Sequence, residues 1–255
     1  MAHQFKKKFG QNFLKDENLL KKIVQSATIQ DEDVIEIGPG MGALTKHIIP
    51  LAKRYQGFEV DLSLKQALDA LIKNQPHASM VFQDFLEADL KTLDRDTTVI
   101  GNIPYNITSP IIFKLVSIEY VTKIVIMIQK EVAERIVAKP NTKAYNALSV
   151  ILQTQYEISK VVDVNKKMFY PIPKVDSMVI KLNKKATLDE GFNTFVKACF
   201  KQKRKTLANN LLEANYFTKE ALHQELTRLN YVDNVRAEAI NVVDFMKLYK
   251  VIQTK

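Results

Sequence analysis

The chain has 255 residues, 46% hydrophobic and 25% charged, which suits a soluble globular protein built as one large domain or a domain with a small appendage. Its single cysteine, Cys199, excludes an intramolecular disulfide and a cysteine-based metal site, and points to a reducing cytosol. The 37 Lys+Arg against 28 Asp+Glu leave a net charge of +9 and point to a polyanionic partner, nucleic acid being the commonest.

The basic residues are clustered, at Lys6-Lys7-Lys8, Lys166-Lys167, Lys184-Lys185 and residues 201–205. No apolar run approaches the ~18 residues of a membrane span. The N-terminus lacks the apolar stretch of a secretory leader. His3, His47, His77 and His223 lack metal-ligand spacing, so no metal is expected.

Residues 1–15 form a basic arm that runs into Phe9-Gly10-Gln11-Asn12-Phe13-Leu14. The arm either covers the mouth of a pocket or packs on the surface. Asp16 stands where a helix N-cap belongs, and Leu19, Leu20, Ile23, Val24 and Ala27 follow at helical spacing. Residues 33–37 read as a strand, and Gly38-Pro39-Gly40-Met41-Gly42 forms a turn into the next helix. Such a turn lets a ligand approach the backbone closely. Its G-x-G-x-G spacing is not the G-x-G-x-x-G of dinucleotide binders, and no Walker lysine follows, which disfavours an NTPase.

The second strand, residues 55–60, ends in Glu59, roughly 20 residues beyond the glycine turn, where an acid accepts hydrogen bonds from both ribose hydroxyls of a nucleoside. The plainer alternative for Glu59 is a solvated strand-end acid. Residues 64–73 form a helix and 78–82 a third strand, followed by Gln83-Asp84-Phe85. Asp84 suits an adenine amino group, with Phe85 beside the ring. A glycine turn, a ribose acid and an adenine acid without a phosphate-binding group fit S-adenosylmethionine better than a dinucleotide.

Residues 98–101 form a buried parallel strand that ends in Asn102-Ile103-Pro104-Tyr105. Open α/β sheets place their sites at such carboxyl ends. The Asn102 side-chain carbonyl and a neighbouring backbone carbonyl suit the two N–H groups of an exocyclic amine, with Tyr105 stacked on the ring. A turn with a capping Asn and a packing Tyr is the alternative. Further on, Ser109-Pro110 opens a helix, 123–129 is a central strand, and 130–138 and 144–155 are helices. Residues 157–164 and 175–182 read as a closing hairpin. Between them, Phe169 and Tyr170 either wall the base pocket or fill core.

After Lys184 only helices are expected, at 192–200, 203–212, 219–229 and 237–249. The expected organisation is therefore a domain of residues 1–184 with a basic N-terminal arm, and a small helical domain of residues 185–255. The cluster Gln202-Lys203-Arg204-Lys205-Thr206 sits at the junction and suits RNA phosphates, or else is a solvated helix face.

With these features in place, the sequence resembles the KsgA-type ribosomal RNA adenine N6,N6-dimethyltransferases, with the Erm enzymes as cousins. The matching stretches span nearly the whole chain. They are residues 9–14, 36–45 and 101–107, Leu148-Ser149-Val150, residues 171–177 and 200–207, and Arg236-Ala237-Glu238. The resemblance implies an α/β, Rossmann-like methyltransferase domain with a seven-stranded mixed sheet and a helical, RNA-binding C-terminal domain. It implies cofactor contacts at Asn12, Leu14, Gly38, Glu59, Asp84 and Asn102, and catalytic roles for Asn102, Pro104 and Tyr105, with the second N–H accepted by the Pro104 carbonyl. The substrate implied is two adjacent adenines in the 3′-terminal hairpin loop of small-subunit rRNA, in a 30S pre-particle. A cytoplasmic monomer is expected, because a particle-sized substrate must reach the site. Two residues depart from the common KsgA pattern: Ile103 stands where Leu is frequent, as in Erm, and Asn146 where Gly is frequent. The alternatives are an Erm-like enzyme of large-subunit rRNA, more remotely a DNA adenine methyltransferase, and an assembly factor with a vestigial site.

Overall fold

The computed structural model describes residues 12–90 and 93–254. The basic run Lys6-Lys7-Lys8 and the Phe9-Gly10-Gln11 motif lie outside the described residues. In chain order the first elements are β1 (Phe13–Leu14), α1 (Glu17–Ala27), β2 (Asp33–Ile37), α2 (Thr45–Ile48), β3 (Arg54–Phe58), α3 (Lys65–Ile72), β4 (Ala78–Val81) and β5 (Thr97–Asn102). Next come α4 (Thr108–Val116), β6 (Val121–Gln129), α5 (Lys130–Ile136), α6 (Ala147–Gln155), β7 (Tyr156–Val164), β8 (Phe169–Tyr170) and β9 (Ser177–Lys184). The helices α7 (Glu190–Cys199), α8 (Leu207–Glu213), α9 (Lys219–Arg228) and α10 (Val242–Gln253) close the chain.

These elements form two compact units. One runs to Ala133 and takes in Ile158–Lys184; the other comprises Glu134–Glu157 and the residues from Lys185 onward. The chain therefore enters the second unit twice, whereas the sequence pattern placed a single crossing near 184–190. The reason is that α6 packs with α7 and α10, a partnership its helical period alone does not reveal.

Seven strands form one mixed sheet of order β4-β3-β2-β5-β6-β9-β7. β4, β3, β2, β5 and β6 are mutually parallel, and β9 runs antiparallel to β6. The central strands read as near-continuous apolar runs because both of their faces are covered: Val99, Ile100 and residues 124–128 are all buried. Order reverses at β2, which has β3 on one side and β5 on the other. Such a reversal opens a crevice at the carboxyl ends of the strands.

Helix α1 covers this sheet. Asp16 caps it by accepting from the Leu19 N–H at 2.8 Å. Leu19, Leu20, Ile23, Val24 and Ala27 are buried in one cluster with Ile100, Val125 and Met127. The two strands of the expected hairpin do pair, as β7 and β9, and the segment between them carries one further short strand, β8, which pairs antiparallel with β1.

In the second unit, Phe192, Phe195 and Phe245 are fully buried. Asn146, one of the two unusual positions, is the N-cap of α6: it accepts from the Leu148 N–H at 2.8 Å, while its own N–H reaches Ser149 Oγ at 3.0 Å. The basic run 201–205 is not helical. Thr206 caps α8 by accepting from the Asn209 N–H, so the lysines fall on the preceding turn. Likewise the expected helix over 237–249 begins as a separate 3-10 turn, Ala237–Ala239, before Asn241 caps α10.

Truncating the apolar face of α1 tests this packing. Ile23→Ala is expected to cost about 3 kcal/mol of unfolding free energy in urea titration, and the exposed Lys22→Ala less than about 0.5 kcal/mol.

Candidate active site

The site is built from the ends of β2, β3, β4 and β5. Past β2 the backbone turns through Gly38 (φ +69°) and Gly40 (φ +60°), conformations that glycine adopts without strain. At Gly40 a side chain is barred twice over, because a Cβ would lie 2.7 Å from Phe13 Cε1. Phe13 belongs to β1, so the described end of the N-terminal arm packs on the glycine turn.

Glu59 follows β3 and is 5% exposed. Its Oε2 accepts from the Gly40 N–H and its Oε1 from the Asp61 N–H, both at 2.9 Å. A carboxylate offers about four acceptor positions, so each oxygen keeps one for a ligand. Burial raises the Glu59 pKa, against the backbone N–H groups that lower it. One strand over, Glu36 is 1% exposed and accepts from the hydroxyls of Tyr55 (2.6 Å) and Thr45 (2.7 Å). Burial pushes its carboxyl up to about 7, with the two hydroxyls opposing.

Beyond β4, Asp84 Oδ1 accepts from the Leu86 N–H at 2.8 Å and starts the 3-10 turn Phe85–Glu87. The buried Phe85 ring stands edge-on to Phe58, centroids 5.5 Å apart. At the end of β5, Asn102 Nδ2 donates to the Asn12 carbonyl at 3.0 Å. That bond fixes which way the amide faces, and its Oδ1 accepts from no donor among the described residues. Tyr105 is tied through its hydroxyl to Ser177 Oγ at 2.6 Å, and burial raises its pKa.

All eight residues expected at the site, Asn12, Leu14, Gly38, Glu59, Asp84, Asn102, Pro104 and Tyr105, line one pocket. One expected role changes. The Pro104 carbonyl accepts from the Ile107 N–H (3.2 Å) and Thr108 Oγ1 (3.1 Å), which close the turn into α4 and use its two lone pairs. The Ile103 carbonyl, also at the pocket, is reached by no donor among the described residues. The aromatic pair 169–170 does not line the pocket: Phe169 is buried in the core, and Tyr170 is half exposed with the Lys15 ammonium 4.4 Å from its ring centre. Ser177, Tyr55 and Thr45 were not singled out from sequence. Their partners lie 72, 19 and 9 residues away, and no local pattern announces such contacts.

The lining holds three acids, Glu36, Glu59 and Asp84, and no Lys, Arg or His among the described residues. Such a pocket repels phosphate and suits a cationic, adenosine-bearing ligand; S-adenosylmethionine, a sulfonium, fits these residues.

The comparisons agree with that chemistry. The family model for ribosomal RNA adenine dimethylase matches residues 2–254. The chain is 47% identical to the ribosomal RNA small subunit methyltransferase A of Onion yellows phytoplasma, over 97% of this chain and 96% of that protein. It is 39% identical to the protein of that name from Mycoplasma mobile, over 99% and 98%. A dimethyladenosine transferase from Plasmodium falciparum superposes with a TM-score of 0.83 at 30% identity, covering 95% of this chain and 98% of that one. The 23S rRNA methyltransferase ErmE gives 0.74 at 25% identity, covering 95% and 100%. The fold is thus that of the Rossmann-like methyltransferases. The chain belongs to the ribosomal RNA adenine dimethylase family, S-adenosylmethionine-dependent enzymes that methylate adenines of ribosomal RNA.

The raised Glu36 carboxyl has a measurable consequence. Folding binds its proton more tightly than the ordinary 4.5, so this stabilisation is complete below that pH and is lost as pH rises to about 7. Glu36→Gln removes the titration. Between pH 4.5 and about 7.5 the stability of the variant is expected to gain on that of the wild type by roughly 3 kcal/mol, then level off. Urea titrations across this range read the difference, and a constant difference contradicts the assignment.

Proposed function

We propose that this enzyme dimethylates N6 of two adjacent adenines in the 3′-terminal hairpin loop of small-subunit rRNA, acting as a cytoplasmic monomer on a 30S pre-particle. The observation that carries the reading is the Asn102 amide, held from one side by the Asn12 carbonyl and left with a free acceptor at the pocket. The small-subunit name of the relatives that match nearly the whole chain supports the choice of RNA.

In this reading Glu59 accepts the ribose hydroxyls, Asp84 accepts the cofactor's adenine amine, Gly38 lets backbone approach the ligand, and Asn12 and Leu14 wall the pocket. When bound, S-adenosylmethionine supplies an electrophilic methyl group on a positively charged sulfur. The target adenine leaves its stack, which costs less in a hairpin loop than in a duplex. Tyr105, braced by Ser177, stacks on the base, worth roughly 1–3 kcal/mol by analogy with other stacking sites. Asn102 Oδ1 accepts one N–H of the amine. The second acceptor is the Ile103 carbonyl rather than that of Pro104, which the turn already uses. In the first transfer, holding both N–H groups draws the nitrogen lone pair out of conjugation and aims it at the methyl group; in the second, the methylated nitrogen has one N–H left for these acceptors. No strong general base is needed, since the nitrogen becomes acidic as the bond forms. Positioning and fixed dipoles supply the acceleration.

The cationic turn 201–205 suits RNA phosphate. Lys201 and Lys205 share Glu213 at 3.6 and 3.0 Å, while Lys203 and Arg204 are exposed, and Arg204 has no ion-pair partner among the described residues.

The test is transfer of labelled methyl from S-adenosylmethionine to unmethylated small- and large-subunit particles, followed by nucleoside analysis. The expected result is label in N6,N6-dimethyladenosine of small-subunit rRNA; label confined to the large subunit moves the chain to Erm-like activity. Asn102→Ala is expected to lower transfer at least about 100-fold while leaving RNA affinity within about twofold. Near-normal transfer by that variant would remove Asn102 from the mechanism.

A further inference from the structure

Lys114 lies two turns along α4 and takes no part in the chemistry above. Its ammonium donates to the carbonyl of Phe85 and that of Leu86, each at 2.8 Å, and to the carbonyl of Ala88. A lysine has three N–H donors, and all of them are spent on carbonyls of the one segment 85–88. The Phe85 carbonyl also accepts the Ala88 N–H at 3.2 Å, whereas the Leu86 and Ala88 carbonyls, at the carboxyl end of the 3-10 turn, take no other donor among the described residues, and a cation is favoured there by the local dipole. The same ammonium lies 5.4 Å from the centre of the Phe85 ring. The turn it holds begins at Asp84, whose other end is pinned by the Leu86 N–H.

The helix that carries Lys114 is itself part of the pocket. Ile107, just before α4, and Ile111, one turn before Lys114, both line it. The ammonium is partly desolvated, and burial lowers its pKa. A charge is withdrawn from water here for the sake of a turn that bears two pocket residues. Its Phe85 side chain packs on Phe58, but its backbone, among the described residues, otherwise makes only its own short-range hydrogen bonds.

We propose that Lys114 is a positioning residue for cofactor recognition: it fixes the backbone of residues 84–88 so that the Asp84 carboxylate and the Phe85 ring are pre-set for the adenine of the cofactor. This rests on the reading that the Asp84 end of the pocket holds that adenine. Lys114 touches no reacting atom, so its loss acts on cofactor affinity and leaves methyl transfer at saturating cofactor intact.

The test uses the full chain. Binding of S-adenosylhomocysteine is measured by calorimetry for the wild type, Lys114→Met and Lys114→Arg, alongside KM for cofactor, KM for RNA, kcat and thermal midpoint. In Lys114→Met the dissociation constant is expected to rise about tenfold, with KM for cofactor following it. Both kcat and the RNA KM stay within about twofold. Lys114→Arg, which keeps a fan of N–H donors, is expected to recover most of the affinity. Should the Met variant fail to fold, Lys114→Gln, neutral but with two donors, carries the same comparison. A folded Met or Gln variant that binds S-adenosylhomocysteine within about twofold of the wild type overturns the inference, even if its thermal midpoint falls. An RNA KM that rises as much as the cofactor KM overturns it too. If the wild type itself binds no S-adenosylhomocysteine, the underlying reading of the pocket fails, and that is seen before any variant is compared.

Discussion

The constraint on which the rest depends is the reversal of strand order at β2. With β3 on one side and β5 on the other, the two chain segments leaving β2 and β5 diverge and leave a crevice between them. The pocket residues are gathered there: the glycine turn after β2, Glu59 after β3, Asp84 after β4 and the Asn102 tetrapeptide after β5. The remaining elements keep that crevice in shape. α1 buries its apolar face on the sheet, and the β1–β8 pair lays Phe13 against Gly40, so that the pocket has a wall that the main sheet does not provide.

Acidity is the pocket's second defining property. Two buried carboxyls, Glu36 and Glu59, and a third at Asp84 line a space to which no described residue brings a cationic side chain. Burial drives the first two toward their protonated forms, and hydrogen bonds hold them back: hydroxyls for Glu36, backbone N–H groups for Glu59. A protein does not keep such groups for stability, since each costs free energy to desolvate. Their arrangement makes sense as the complement of a cationic nucleoside. In the proposed mechanism the target amine, by contrast, meets neutral acceptors, the Asn102 amide and a backbone carbonyl, which suits a nitrogen that must keep its lone pair exposed.

Much of this was legible in the sequence because it is local. The period of the apolar runs marks the strands, and a βαβ unit has so little slack that Glu59 must fall at the end of the strand following the glycine turn. The tetrapeptide 102–105 carries its own chemistry. What escaped were contacts between distant segments and small choices of backbone. Two-residue strands such as β1 and β8 have too few residues to show a period, and their pairing joins Phe13 to Tyr170. The bracing of Tyr105 by Ser177 depends on β9 lying next to β6, which sequence order does not dictate. Residues 203–205 looked like the start of a helix because Lys and Arg are good helix formers, but Thr206 is the better cap and the helix starts there. The Pro104 carbonyl looked available until the turn into α4 was seen to use it.

The central claim is that the crevice at β2 and β5 holds an adenosine through Glu59 and Asp84 while Asn102 stays anchored to Asn12. A crystal structure of the complex with S-adenosylhomocysteine tests it directly. The account predicts both ribose hydroxyls within hydrogen-bond distance of the Glu59 carboxylate, the adenine amine at Asp84, and the Asn102 amide still on the Asn12 carbonyl. A nucleoside bound elsewhere, or one seated in the pocket with Glu59 turned away from the ribose, would contradict it.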